Sequence, residues 1–323
     1  MNKENIFITG VTGCIGHYLV DLLKENPKYH LYLLIRDNKN WKMDFAKISN
    51  ATILYGNLET IELQEPYLNQ TDYLIHIATT WCGSQCNIID APIKMLDMLD
   101  VSRIKKVFFF STASILGKNN TLLQEAETLG TSYIKDKYKS YMNIKASKYK
   151  DLVTHIFPTV IIGGDNTHHY THIGEGLLNI KKQINWLKYF YVDLGFHYIH
   201  AQDIAKVLIY FLENKTDNLD YVLGNQYTTL KKLIKQVANY FGKKVFLQIL
   251  IPTPLLDFII KVFRLKVDPW GLFSLNYRHF EYTTVNCQTY NLPSNLLQIS
   301  DIMKSLENQA FPTPPGATSK ERI

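Results

Sequence analysis

The chain has 323 residues, 46% hydrophobic and 20% charged, enough for a sizeable core in one large or two modest domains. A formal net charge of +6 is mild, and no basic stripe with interleaved aromatics accompanies it. That excludes a nucleic-acid signature and leaves room for a small anionic ligand. The four cysteines, Cys14, Cys82, Cys86 and Cys287, lack the spacing of a redox or metal-binding pair. They read as idle thiols in a reducing compartment, with no metal site expected.

Met-Asn-Lys-Glu-Asn runs straight into the first strand, Ile6–Thr9, with no room for a signal peptide, so a cytoplasmic or organelle-stromal location is expected. A loop with Gly10, Gly13 and Gly16 follows, then a helix over 14–25 with Ile15, Leu19, Leu22 and Leu23 on one face. Strand, glycine turn and helix together predict a dinucleotide site. Gly10 would allow the tight turn, Gly13 would let the backbone approach a pyrophosphate, and Gly16 would let helix and strand pack closely. The helix N-terminus would then meet the phosphates with unpaired N–H groups.

Further strands are predicted at Leu31–Ile35, Thr52–Tyr55, Tyr73–Ile77, Lys106–Ser111 and Leu152–Phe157, with helices over 87–100 and 132–149. The alternation predicts an α/β fold, a doubly wound parallel sheet covered on both faces. After Gly163-Gly164 the character changes. Residues 165–195 read as irregular, with His168, His169 and His172 in a mobile substrate loop rather than a metal site. A helix over 203–213 takes Asp203 as its N-cap, and Thr229 opens another that stops at Gly242. The apolar stretch Leu247–Phe263 is too short and too interrupted to span a bilayer. Residues 250–266 suit a lid, a core helix or a membrane-surface helix with a basic end at Lys261, Arg264 and Lys266. The proline-rich tail, 311–323, is expected to be flexible.

Six segments occur in one order: Thr9-Gly-Val-Thr-Gly-Cys-Ile-Gly16, Gly56-Asn-Leu58, Asp72-Tyr-Leu-Ile-His-Ile-Ala-Thr79, Phe110-Ser-Thr-Ala-Ser-Ile-Leu-Gly117, Phe157-Pro-Thr-Val-Ile-Ile-Gly163 and Tyr198-Ile-His-Ala-Gln-Asp-Ile-Ala205. Together they resemble the extended short-chain dehydrogenase/reductase family, which contains sugar-nucleotide epimerases, dehydratases and flavonoid-type reductases. The resemblance is dense over 5–163, recurs at 196–212 and fades afterwards. It implies a Rossmann-type nucleotide domain over 1–163, with 196–225 returning to it. A smaller C-terminal α+β substrate region would comprise 164–195 and 226–310. A homodimer is expected by the same resemblance.

The resemblance also implies a Tyr-x-x-x-Lys pair on a helix, the ammonium lowering the phenol's pKa so that the Tyr exchanges a proton. Two pairs fit the spacing, Tyr133/Lys137 and Tyr141/Lys145. A crossover helix must traverse the sheet before Leu152 opens the next strand, which favours Tyr133/Lys137 and leaves Tyr141/Lys145 as the alternative. The family's substrate-orienting hydroxyl falls on Thr112, with Ser111 and Ser114 beside it; the same cluster also suits a turn that satisfies its own backbone. Cofactor contacts are implied for Gly10, Thr12, Gly13, Cys14, Ile15, Gly16, Arg36, Asn57, Leu58, Ile77, Ala78, Thr79, Lys137, Pro158 and Val160. Arg36, at the end of the second strand, favours a 2′-phosphate and hence NADP, while Asp37 keeps NAD in play.

Five positions depart from the family pattern: Asn57 stands for Asp, Phe157 for Arg, Gly164 for Pro, and Phe196-His197 for the Arg-Asp that meets a sugar-nucleotide diphosphate. With the many aromatics of the second half, these favour an NADP(H)-dependent oxidoreductase acting on a carbonyl or hydroxyl of a small, fairly apolar metabolite. A sugar-nucleotide epimerase or dehydratase with tightly bound NAD is one alternative, and a non-catalytic nucleotide-binding subunit of a larger assembly is another.

Overall fold

The computed structural model describes residues 3–36, 42–79, 89–216, 218–264 and 266–308. Asp37, Cys82, Cys86, the start of the helix expected from 87 and the tail from 309 lie outside the described residues.

Seven parallel strands form the central sheet: β1 (Glu4–Thr9), β2 (Tyr29–Ile35), β3 (Ala51–Tyr55), β4 (Tyr73–His76), β5 (Lys106–Phe110), β6 (Val153–Pro158) and β7 (Asp220–Leu223), in the order β7-β6-β5-β4-β1-β2-β3. The six strands expected from sequence are all present. β7 is an addition from the second half of the chain, paired to β6. The order reverses between β1 and β4, where Thr9 is flanked by Leu34 and His76. In doubly wound sheets the ligand crevice opens at the carboxyl ends of the strands at such a switch point.

Alternation along each strand builds two core layers. Ile6 and Ile8 face α1 (Cys14–Leu23) and the later helix Ala201–Glu213, while Phe7 faces the opposite layer with Leu74, Met95 and Ile144. In α1, Ile15, Leu19 and Leu23 are buried as expected, but Leu22 is exposed; Tyr18 and Val20 complete the buried surface instead.

Three expectations for the second half are corrected. Residues 165–195 are not irregular throughout: Thr171 caps a helix, His172–Asn179, by accepting a hydrogen bond from Gly174 N. The helix read as starting at 203 starts at Ala201, and its cap is His200, whose ring accepts from Gln202 N. Asp203 lies inside the first turn, fully buried, and accepts a hydrogen bond from Ser294 Oγ at 2.7 Å. Thr229 caps Leu230–Tyr240 as expected, and Gly242 ends it at φ +68°. This helix and Ile299–Asn308 close a separate apolar cluster that includes Ile162, Tyr198 and Met303.

Candidate active site

Gly10 leaves β1 at φ +78°, and a Cβ there would stand 2.6 Å from the backbone nitrogen of Ala78, so only glycine fits. Gly13 is the N-cap of α1, its nitrogen donating to Gly10 O at 3.1 Å, and no side chain caps the first turn. The N–H groups of that turn are therefore left for a ligand. Gly16 serves packing: a Cβ on it would lie 2.2 Å from Gly10 O and 2.6 Å from Val11 Cα. Of the residues implied to touch the cofactor, all but Gly16 line the cavity, and Gly16 has the packing role expected of it.

That cavity has a volume of about 760 Å³ and runs along the carboxyl ends of β1, β2, β4, β5 and β6. Gly10, Thr12, Gly13, Cys14 and Ile15 form its floor at the glycine turn. Arg36, Asn57 and Leu58 lie at the end beyond β2 and β3, and Ile77, Ala78 and Thr79 at the exit of β4. Pro158 and Val160 line it after β6, and Thr112, Tyr133 and Lys137 complete it. The volume falls in the range of small-molecule and cofactor sites. Two buried hydroxyls on the wall, Thr79 Oγ1 and Ser111 Oγ, have no hydrogen-bond partner among the described residues. Orphaned polar atoms of this kind are what a bound ligand satisfies. Glycine turn, helix end, cavity size and orphaned hydroxyls all fit a nicotinamide dinucleotide.

The helix Ser132–Ala146 places the two Tyr-x-x-x-Lys pairs in different surroundings. Tyr133 and Lys137 face the cavity. Tyr141 Oη and Lys145 Nζ both donate to Asp220 Oδ2, at 3.3 and 2.9 Å, pinning the helix to edge strand β7. Lys137 is fully buried: Nζ donates to Phe110 O at 2.7 Å and stands 5.5 Å from the Phe109 ring centroid. Burial pushes its pKa down to about 8. Burial raises the Tyr133 phenol, and its hydrogen bond with Thr112 only partly offsets this. The expected lowering of the phenol by Lys137 is therefore absent in this state; the group is held protonated. Thr112 has two tasks, because its Oγ1 also accepts from Ser114 N at 3.2 Å and caps the turn Ala113–Ile115.

The cavity continues along Tyr170, Thr171, His172 and Ile173, which the sequence reading placed in a mobile loop. A buried carboxylate organises this segment instead. Asp165 accepts hydrogen bonds from Tyr18 Oη, Thr167 N and Oγ1, His168 N and the His168 ring, at 2.7–2.9 Å. Burial would raise its pKa, but these donors hold it well below the usual carboxylate range. The His168 ring stacks on Tyr18 with centroids 3.8 Å apart, and His17 stacks on His169 at 4.8 Å. Burial pushes His17 down to about 3 and His200 to about 4, so they pack as neutral rings. Among the described residues no group of three or more His, Cys, Asp or Glu is arranged to hold a metal. The Cys14 thiol is pushed up to about 12 by burial and by Asp165, which makes it inert.

The departures from the family pattern have structural explanations. Phe157 is buried in the apolar cluster with Ile115, Ile134 and Val222. Gly164 sits at φ +117°, with Tyr170 Cα 2.3 Å from where a Cβ would be. His197 is buried between Asn225 O, 2.7 Å from Nδ1, and Tyr282 N, which donates to Nε2 at 3.1 Å. Asn57 Oδ1 is engaged by Glu59 N and Thr60 N, at 2.8 and 3.0 Å, and holds its own turn.

A doubly wound sheet with a glycine-turn cavity at its switch point defines a dinucleotide-binding α/β protein. Residues 6–224 match the model of the NAD dependent epimerase/dehydratase family, and the chain belongs to that family. It is thus an NAD(P)-dependent enzyme of extended short-chain dehydrogenase/reductase type. Solved structures share the fold at low identity. The UDP-N-acetylglucosamine 4-epimerase of Methanobrevibacter ruminantium M1 is 17% identical, with a TM-score of 0.66 over 95% of this chain and 98% of that one. The dTDP-glucose 4,6-dehydratase of Bacillus anthracis, in complex with NAD, is 14% identical, with a TM-score of 0.66 over 94% and 96%. Vestitone reductase of alfalfa is 15% identical, with a TM-score of 0.64 over 95% and 97%. No curated protein sequence matches the chain. Among the described residues no helix is long and apolar enough to cross a membrane.

Proposed function

We propose that the chain is an NADP(H)-dependent reductase of a carbonyl in a small, fairly apolar metabolite. The observation that carries this reading is the convergence of Thr112, Tyr133 and Lys137 with the glycine turn on one cavity, with the Tyr133 phenol held protonated. When bound, the nicotinamide supplies the hydride. Tyr133 donates its phenolic proton to the substrate oxygen, and the Thr112 hydroxyl hydrogen-bonds that oxygen as negative charge develops. Lys137 does not lower the phenol before reaction; in this reading its ammonium offsets the negative charge that develops on Tyr133 as the proton leaves.

Cofactor choice rests on Arg36, exposed at the cavity end beyond β2, where a guanidinium pairs well with a phosphate. Substrate class rests on two positions just ahead of the Tyr198–Ala205 segment. Phe196 and His197 stand where sugar-nucleotide enzymes carry Arg-Asp, and His197 is committed to Asn225 and Tyr282. The cavity wall also includes Ile161, Tyr170 and Ile173, which suit an apolar body.

The test is NADPH oxidation with a panel of aliphatic and aromatic aldehydes and ketones. Tyr133→Phe should lose on the order of 100-fold or more of kcat, while Tyr141→Phe keeps it. Turnover that survives Tyr133→Phe would sink the catalytic assignment. NAD retained through purification, with activity only on a sugar nucleotide, would favour the epimerase alternative.

A further inference from the structure

The substrate region carries an apolar surface that no part of the described chain covers. Trp186 is 77% exposed, Phe246 88%, Phe258 61% and Phe263 70%. The segments that hold them are joined. Phe190–Tyr191 pairs with Ile249–Leu250, Ile249 N donates to Tyr189 O at 2.7 Å, and Lys188 Nζ donates to Lys244 O at 3.3 Å. The helix Thr253–Val262 follows two residues after that strand and is open on the face of Leu255, Phe258 and Val262, an i, i+3, i+7 series. Soluble monomers rarely leave several large aromatics exposed on neighbouring segments.

The charge around this surface is predominantly positive. Residues 243–266 hold five basic side chains and one acid, Asp257, and residues 180–191 hold three lysines and no acid. Lys244, Lys261 and Arg264 are exposed, and Lys188 is part-exposed. A second copy docking through the same face would set cation against cation, because a two-fold interface is self-complementary only if its charges are. An anionic lipid surface meets both properties at once: its headgroups attract the cations, and the acyl boundary takes the aromatic and aliphatic side chains.

We propose that the face built from residues 186–191, 244–251 and the helix Thr253–Val262 docks on an anionic membrane surface, so that the enzyme is a peripheral membrane protein. The helix lies in the interface plane, with Leu255, Phe258 and Val262 entering the headgroup boundary and Lys261 and Arg264 at the phosphates.

The experiment is co-sedimentation of the full chain with vesicles of phosphatidylcholine alone and of phosphatidylcholine containing phosphatidylserine, with light scattering in parallel. The wild type should sediment with the anionic vesicles, far less with the neutral ones, and less as salt is raised. Lys261→Glu with Arg264→Glu should lower partitioning on the order of 30-fold or more, from about a fivefold effect per basic residue. Phe258→Asp with Phe263→Asp should abolish it. Both variants should keep the circular dichroism melt and NADPH binding of the wild type, since the altered side chains are exposed. No binding to anionic vesicles, or equal binding by the charge-reversed variant, overturns the proposal. So does a dimer that Phe258→Asp with Phe263→Asp splits in the absence of lipid.

Discussion

Lys137 Nζ donates to the carbonyl oxygen of Phe110 across 2.7 Å, and that bond holds a fully buried ammonium at the end of β5, beside the cavity. Burial, with no carboxylate among the described residues to offset it, brings the pKa down from 10.5 to about 8. Between these values the unfolded chain binds the proton and the native chain does not, so stability rises with pH through that window. Below about 8 both states carry the charge and the penalty is complete, about 3 kcal/mol at ~1.4 kcal/mol per pKa unit. Lys137→Met should therefore raise the thermal midpoint at neutral pH, while lowering kcat on the order of 100-fold. The stability difference between variant and wild type should shrink on titration from pH 8 to 10.5. A variant destabilised at neutral pH would refute the account of the buried charge.

The glycine turn divides into positions that fold and a position that binds. Gly10→Ala forces a β-carbon against Ala78 N at 2.6 Å in a left-handed conformation, and should cost about 3 kcal/mol or more. At Gly13 the new β-carbon meets only Gly10 O, at 3.3 Å. Gly13→Ala should keep the fold and weaken nucleotide binding about tenfold or more, equivalent to ~1.4 kcal/mol. Chemical denaturation and nucleotide titration of the two variants separate these effects.

Asp165 collects five hydrogen bonds from Tyr18, Thr167 and His168 and fixes the segment that continues into Tyr170–Ile173 on the cavity wall. Asp165→Ala leaves those donors unpaired and should cost about 3 kcal/mol, the scale of a lost charged hydrogen-bond set. Its depressed pKa means that the wild-type contribution is present above pH 3.8 and is lost as pH falls through the folded value. Hydrogen exchange should show loss of protection across 163–173 in the variant, with the central sheet unchanged.

Arg36 lines the cavity immediately after β2. Arg36→Glu should weaken NADPH binding at least about tenfold, the loss of one charge-assisted pair at ~1.4 kcal/mol, and leave NADH binding within about twofold. Equal loss of both nucleotides would place Arg36 outside 2′-phosphate recognition.

Much of this was legible in the sequence because parallel strands buried on both faces are continuous apolar runs, as in Phe7–Ile8, Leu31–Ile35 and Val107–Phe110. The glycine turn was legible because Gly10 is required by its backbone angle and its contact with Ala78. Helix length favoured Tyr133/Lys137, and that is the pair that lines the cavity. What the sequence hid was set by contacts distant along the chain. Asp203 looked like an N-cap, but its partner is Ser294, 91 residues away, and the His200 ring took the capping role. The helix His172–Asn179 was masked by Gly174 and Gly176, weak helix formers. Gly174 is required there because a Cβ would lie 2.7 Å from Gly163 O. β7 is a four-residue edge strand opening on an aspartate, too short for a periodic signal.

The central claim, that the cavity from Gly10 to Tyr133 takes NADP(H), is met most directly by calorimetric titration of the wild-type chain with NADPH and with NADH. Saturable binding of one NADPH per chain, at least about tenfold tighter than NADH, is the expected result. Binding of neither nucleotide, or tighter binding of NADH, would contradict it.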